Sequence, residues 1–238
     1  MRRTLSQRPA QQRSLAPASD QELAQEVLER TRDPGRVLAL TDGIFAIIMT
    51  LLVLEIHVPQ LSAGESLSTH FLLEVWPNVV VFVISFVLTG LYWMGHRDLF
   101  NLVRGVEREL VWLNILYMLP VALVPAAAAL LGAYSHDALA LRLYGLVLLL
   151  ISLMRLVLWF YIGTRPHLLI EHINRRTLRS GALQSITLIL LFLIAMLFAG
   201  FAPYVSLGIY AGVPVFFFIG ITFLRRSSPR GSLERDFT

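Results

Sequence analysis

Six apolar stretches, over residues 36–56, 75–95, 109–132, 142–162, 183–202 and 204–224, dominate this chain. A bilayer core about 30 Å thick takes roughly 20 helical residues to cross, and within it each backbone polar group must be satisfied inside the segment. That constraint leaves one class: an all-α integral membrane protein with six transmembrane helices. Composition agrees, because 56 % of residues are hydrophobic and 15 % charged, with mean hydropathy +0.66, whereas soluble domains carry about 25 % charged residues. Pro120 and Pro125 fall inside the third stretch and Pro214 inside the sixth. Buried helices tolerate such breaks where neighbours satisfy the freed carbonyls, so kinks rather than ends are predicted. Pro203 marks a tight turn between the fifth and sixth stretches.

Flanking these spans, residues 1–33 form an N-terminal segment and 226–238 a C-terminal tail, leaving 34–225 as the six-span domain. The N-terminal segment has no apolar run resembling a signal-peptide core, so it is expected to stay uncleaved and cytosolic. It reads as unstructured to about Ser19, followed by a short polar helix with Ser19 or Asp20 as N-cap.

Arginine placement sets the orientation. All 20 basic residues are arginines. Arg2, Arg3, Arg8, Arg13, Arg30, Arg32 and Arg36 precede or open the first span, and Arg97, Arg104 and Arg108 join the second to the third. Arg165, Arg175, Arg176 and Arg179 follow the fourth, and Arg225, Arg226, Arg230 and Arg235 close the chain. The alternate connections hold only Arg142, beside Glu55, Glu65, Glu74 and Asp137. Both termini are therefore expected to be cytoplasmic, and the net charge of +4 is a topology signal rather than a nucleic-acid patch. Arg155 alone lies within a span, about two turns from its cytoplasmic end, where it is expected to snorkel.

Several chemistries find no support. There is no cysteine, which removes disulfides and thiolate chemistry. The histidines His57, His70, His136, His167 and His172 are scattered, and none has the spacing and third ligand of a zinc site. His96, Asp98 and Asn114 are too few for an active site. Neither catalytic residues nor a metal or cofactor are expected. The Gly208–Gly212 GxxxG motif permits close helix approach.

The first span, "RVLALTDGIFAIIMTLLVLEI", carries a carboxylate at Asp42. At 100° per residue, with Asp42 at zero, Ile44, Ile48, Leu51 and Glu55 fall near 200°, 240°, 180° and 220°, one apolar stripe ending in a charge. Thr50, near 80°, is assigned to helix packing. A carboxylate facing lipid costs about 2.5–3.5 kcal/mol, so Asp42 should face protein and find donors. Arg36, Trp93, His96 and Asn114 lie at matching depth and are expected to form, with Asp42, a latch between spans one, two and three.

These residues carry a resemblance. Arg36 followed by Leu40-Thr41-Asp42 is similar to the first-helix signature of the transmembrane protein 175 family of potassium channels, bacterial branch, an arginine followed after three residues by Phe-Ser-Asp. Arg36 and Asp42 match, and Thr41 keeps the hydroxyl, so its polar contact is expected to join the latch. The runs Tyr92–Phe100 and Leu110–Pro120 resemble the family's second- and third-helix patterns. The resemblance implies four chains around an axis lined by their first helices, with no re-entrant loop, and nothing like Thr-Val-Gly-Tyr-Gly appears here. It further implies a potassium-permeable channel of a bacterial plasma membrane, with Ile44, Ile48 and Leu51 as hydrophobic constriction rings and Glu55 drawing cations to the outer mouth. The implied partners are potassium ions, the lipid bilayer and three more copies in a homotetramer. A proton- or cation-coupled transporter is the alternative, but it calls for ionisable residues near mid-bilayer and paired broken helices.

Overall fold

The computed structural model describes residues 33–56, 66, 68, 75–170 and 173–226, with side chains in the final helix as far as Phe217. The expectations for residues 1–32 and for the tail beyond 226 lie outside the described residues. Seven α-helices follow in order among those described: α1 Pro34–Leu54, α2 Trp76–Phe100, α3 Arg108–Ala122, α4 Val124–Ala133, α5 Ala138–Gly163, α6 Arg175–Phe198 and α7 Pro203–Arg226.

Local sequence explains where several of them begin. Asp33 accepts a 2.8 Å hydrogen bond from the Gly35 amide with Pro34 at the first helical position, opening α1. Asp137 caps α5 through the Leu139 and Ala140 amides, and Asn174 caps α6 through Arg176. Each side chain satisfies amides that a helix start leaves without partners. Both α2 and α6 run past the apolar stretches, α6 starting at Arg175 and α2 ending at Phe100. Hydropathy marks what lipid covers, whereas the hydrogen-bonded helix continues into polar sequence.

The third stretch, expected to kink rather than end, is instead interrupted between its prolines, because neither can donate a backbone hydrogen bond. α3 and α4 are separated by Leu123 alone, whose amide bonds the Pro120 carbonyl at 3.2 Å, and Pro125 sits in the first turn of α4. Pro214 is contained within α7, and the chain turns between α6 and α7 at residues 199–202. Among the described residues, five helical segments are long and apolar enough to cross a membrane: α1, α2, the α3–α4 pair, α5 and α6. The apolar described part of α7 is Pro203–Phe217.

α5 is the packing centre, touching α3, α4, α6 and α7, while α1 lies against α2, α3 and α4. Close approach of α5 and α6 depends on Gly181, where a Cβ would collide with the Trp159 ring. Buried hydroxyls tie the helices together. Tyr92 on α2 donates to the Leu148 carbonyl at 3.0 Å and meets Ser152 Oγ at 2.7 Å, and Ser85 meets Tyr144 at 2.9 Å. Tyr210 on α7 donates to the Leu141 carbonyl, and Ser206 to the Ala195 carbonyl. Between apolar helices such bonds add direction to van der Waals packing. Gly208 and Gly212 bring no helix close within the chain, since both are exposed with open space where a Cβ would stand.

Two arginine-bearing connections meet. The Arg104 amide bonds the Leu168 carbonyl at 2.7 Å, the Ile170 amide bonds the Leu102 carbonyl at 3.0 Å, and His167 reaches Glu107 at 2.6 Å. The link from α2 to α3 and the link from α5 to α6 therefore lie on one side, as the arginine distribution requires.

Candidate functional site

The inner face of α1 is Val37, Thr41, Phe45, Ile48 and Leu52, all buried at helical spacing. Thr41 donates to its own helix at the Val37 carbonyl, 3.0 Å away, which leaves its oxygen free to accept from Asn114 Nδ2 at 2.9 Å. With its amide nitrogen so engaged, Asn114 presents Oδ1 to His96 Nε2 at 2.7 Å, and the imidazole proton belongs on that nitrogen. His96 is held by ring stacking on Phe100 at 4.4 Å and Tyr117 at 5.1 Å. Its Nδ1 is buried without a partner.

One residue along, Asp42 Oδ1 accepts from Trp93 Nε1 at 2.7 Å. The Trp93 ring in turn lies 5.6 Å from the Arg97 guanidinium carbon. Three side-chain links thus close a triangle: α1 to α3 through Thr41, α3 to α2 through His96, and α1 to α2 through Asp42. Each link has a modest net worth, about 0.5–1.5 kcal/mol, but removing one partner from either of the two buried links, Thr41–Asn114 or Asn114–His96, strands another polar group away from water at about 1–3 kcal/mol. The triangle therefore fixes the rotation of α1.

Of the residues expected at the latch, Thr41, Asp42, Trp93, His96 and Asn114 are brought together. Arg36 is exposed, and no ion pair joins it to Asp42 among the described residues. Asp42 itself is exposed on its outer side, because it lies beyond the edge of the buried face.

The expected apolar stripe divides. Ile48 is only 4 % exposed and belongs to the chain's own core, Ile44 is half-buried, and Leu51 is 41 % exposed. Together with Ile115, Leu116 and Leu119 of α3 they border an apolar groove between α1 and α3. A helical wheel gives the relative angles of these residues but no zero point. The contacts of Thr41, Phe45 and Leu52 supply that, and they turn Ile48 inward. The face turned outward instead holds Leu40, Ile47 at 59 %, Leu51, and Leu54 at 71 % exposure. Thr50, expected to pack against a neighbour, is on the exposed side and bonds only to the Ala46 and Ile47 carbonyls. Glu55 is half-buried at the C-cap of α1.

Sequence reasoning missed two features here. Ile47 and Leu54 are indistinguishable from their apolar neighbours by residue type. Arg155 does not snorkel: it is 5 % exposed within the bundle, its Nη2 donating to Gln184 Oε1 at 3.2 Å. Only the approach of α6 beside α5 determines that.

Fold and site define a polytopic all-α membrane protein whose first helix is pinned to two neighbours by side-chain hydrogen bonds and turns an apolar face away from them. No three His, Asp or Glu side chains converge as metal ligands among the described residues. The family model for the endosomal/lysosomal potassium channel TMEM175 matches residues 36–125, which contain the whole triangle. A potassium channel of Streptomyces collinus is 35 % identical over 158 residues, covering 64 % of this chain and 75 % of the relative. One of Chamaesiphon minutus is 30 % identical over 189 residues, covering 78 % and 93 %. The crystal structure of a lysosomal potassium-selective channel TMEM175 homolog from Chamaesiphon minutus superposes with TM-score 0.67 at 28 % identity, over 78 % of this chain and 96 % of that one. This chain belongs to the TMEM175 family of potassium channels, in its bacterial branch, and is a channel-type protein rather than an enzyme.

Proposed function

We propose that this chain forms a potassium-permeable cation channel, as a homotetramer whose central conduit is lined by the outward face of α1. Leu40, Ile47, Leu51 and Leu54 repeat at 7, 4 and 3 residues, which keeps them on one side of a helix. The observation that carries the reading is this exposed apolar line, running along a helix whose opposite face is locked by the triangle. Leu116 and Leu119 of α3, which border the same groove, are also exposed and suit subunit contact.

In cyclic symmetry each line residue becomes a ring. A narrow apolar ring excludes water, and an ion passes only by shedding part of its hydration. Potassium holds its water less tightly than sodium, and no oxygen ring repays either ion, so selectivity is modest. In this reading Leu51 keeps its constriction role, Ile47 and Leu54 take the places first assigned to Ile44 and Ile48, and Glu55 attracts cations at the outer mouth. Thr41, Asp42, Trp93, His96 and Asn114 hold α1 at the angle that turns Ile47 toward the axis. α7 is the sixth span, the bilayer is the bacterial plasma membrane, and both termini are cytoplasmic, which the pairing of the two arginine-bearing connections supports.

The test is flux from purified protein in liposomes under potassium or sodium gradients. Electrogenic potassium flux exceeding sodium flux is expected. Electroneutral exchange, or flux carried by chloride alone, overturns the channel reading and favours a coupled transporter.

A further inference from the structure

We propose that a cavity between α2, α5, α6 and α7 binds a phosphate oxyanion through Arg155, with apolar walls that suit the acyl chains of an anionic lipid. The cavity has a volume of about 460 Å³, within the range of about 300–1,000 Å³ usual for ligand sites. Arg155 enters it from α5 with its guanidinium flat against α2 at Gly95. A Cβ there would stand 2.7 Å from Cζ and 2.6 Å from Nη2, so the glycine makes room for the charged plane.

The arginine is under-partnered. Its one hydrogen bond to a described side chain goes to neutral Gln184, and its Nε is buried without a partner. No ion pair reaches it among the described residues. An unpaired buried charge carries a penalty of several kcal/mol, which an incoming anion with two or more oxygens removes by meeting the guanidinium fork. Arg97 and Asp98 also line the cavity, and Asp98 favours the Arg155 charge from a distance without closing an ion pair, so the guanidinium still has no anionic oxygen within hydrogen-bond reach among the described residues.

The remaining walls choose between sources of the anion. Leu88, Leu91, Leu188, Val213 and Phe217 line the same space, an environment that hydrated inorganic phosphate does not seek and an acyl chain does. Depth agrees as well. Gly95 lies five residues from the end of α2, about 7.5 Å along the axis, on the side of the arginine-bearing connections. That is where basic pockets between helices meet acidic headgroups.

The experiment uses the full chain in neutral detergent, with native mass spectrometry and thermal unfolding after adding phosphatidylglycerol, phosphatidylcholine or inorganic phosphate. Phosphatidylglycerol should stay bound and raise the unfolding midpoint, with phosphatidylcholine doing neither. R155Q should bind it about tenfold more weakly. Leu91→Trp, which keeps the arginine and fills the cavity, should lose it too and decides the matter if R155Q fails to fold. Arg97→Gln should retain it. A shift produced by inorganic phosphate and lost in R155Q supports the oxyanion site with an aqueous source. Equal retention of both lipids, or undiminished retention in R155Q or Leu91→Trp, overturns the proposal.

Discussion

The two faces of α1 are both built mainly of apolar side chains and are opposite in circumstance. Val37, Thr41, Phe45, Ile48 and Leu52 are buried in the chain's own core, while Leu40, Ile47, Leu51 and Leu54 stand between 41 % and 71 % exposed, Ile47 and Leu51 only bordering the groove against α3. Adjacent isoleucines, 47 and 48, therefore fall under different rules. One is a core residue whose volume must be filled. The other is available to a neighbouring subunit, to lipid, or to a passing ion. Apolar character alone says little inside a membrane, because lipid is as apolar as the core. Position relative to a polar anchor says much more.

Substitutions can break or sharpen this contrast. Phe45→Ala empties a site touching His96 and Tyr117, and a loss of about 3–5 kcal/mol is expected in thermal or denaturant unfolding of the solubilised protein. Ile48→Ala should follow at about 2–4 kcal/mol. Asn114→Ala cuts two sides of the triangle and strands His96 Nε2, at about 1–2 kcal/mol. Its conduction should change as well, since α1 is then free to rotate. Asp42→Asn should cost under about 1 kcal/mol, because an amide oxygen still accepts from Trp93 Nε1. Ile47→Ala should leave stability within about 0.5 kcal/mol while raising conductance and blurring potassium against sodium in liposome flux. If Ile48→Ala alters ion discrimination and Ile47→Ala does not, the two faces have been assigned the wrong way round.

Much of the polar anchor was legible beforehand. A carboxylate and a hydroxyl early in an apolar helix need donors, and the matching depths of Trp93, His96 and Asn114 can be read by counting residues from the span ends. Arg36 was grouped with them because it shares the helix. Side chains on one helix meet at spacings of three or four residues, and six separate Arg36 from Asp42. The site of the irregularity at Leu123, between Pro120 and Pro125, and the meeting of the two arginine-bearing connections were equally accessible, since proline geometry and charge asymmetry act locally.

By itself the sequence determined the membrane class, the helical segments, the common side of the arginine-bearing connections and the residue types of the anchor. These depend on chain-local properties: hydrophobic length, missing amides and the cost of burying a charge. Tertiary structure alone decided which isoleucine turns inward and that Arg155 lies buried against Gly95 inside the bundle rather than extending along its outer surface. Both are matters of helix rotation and spacing, and these are fixed only when side chains from different helices compete for the same space.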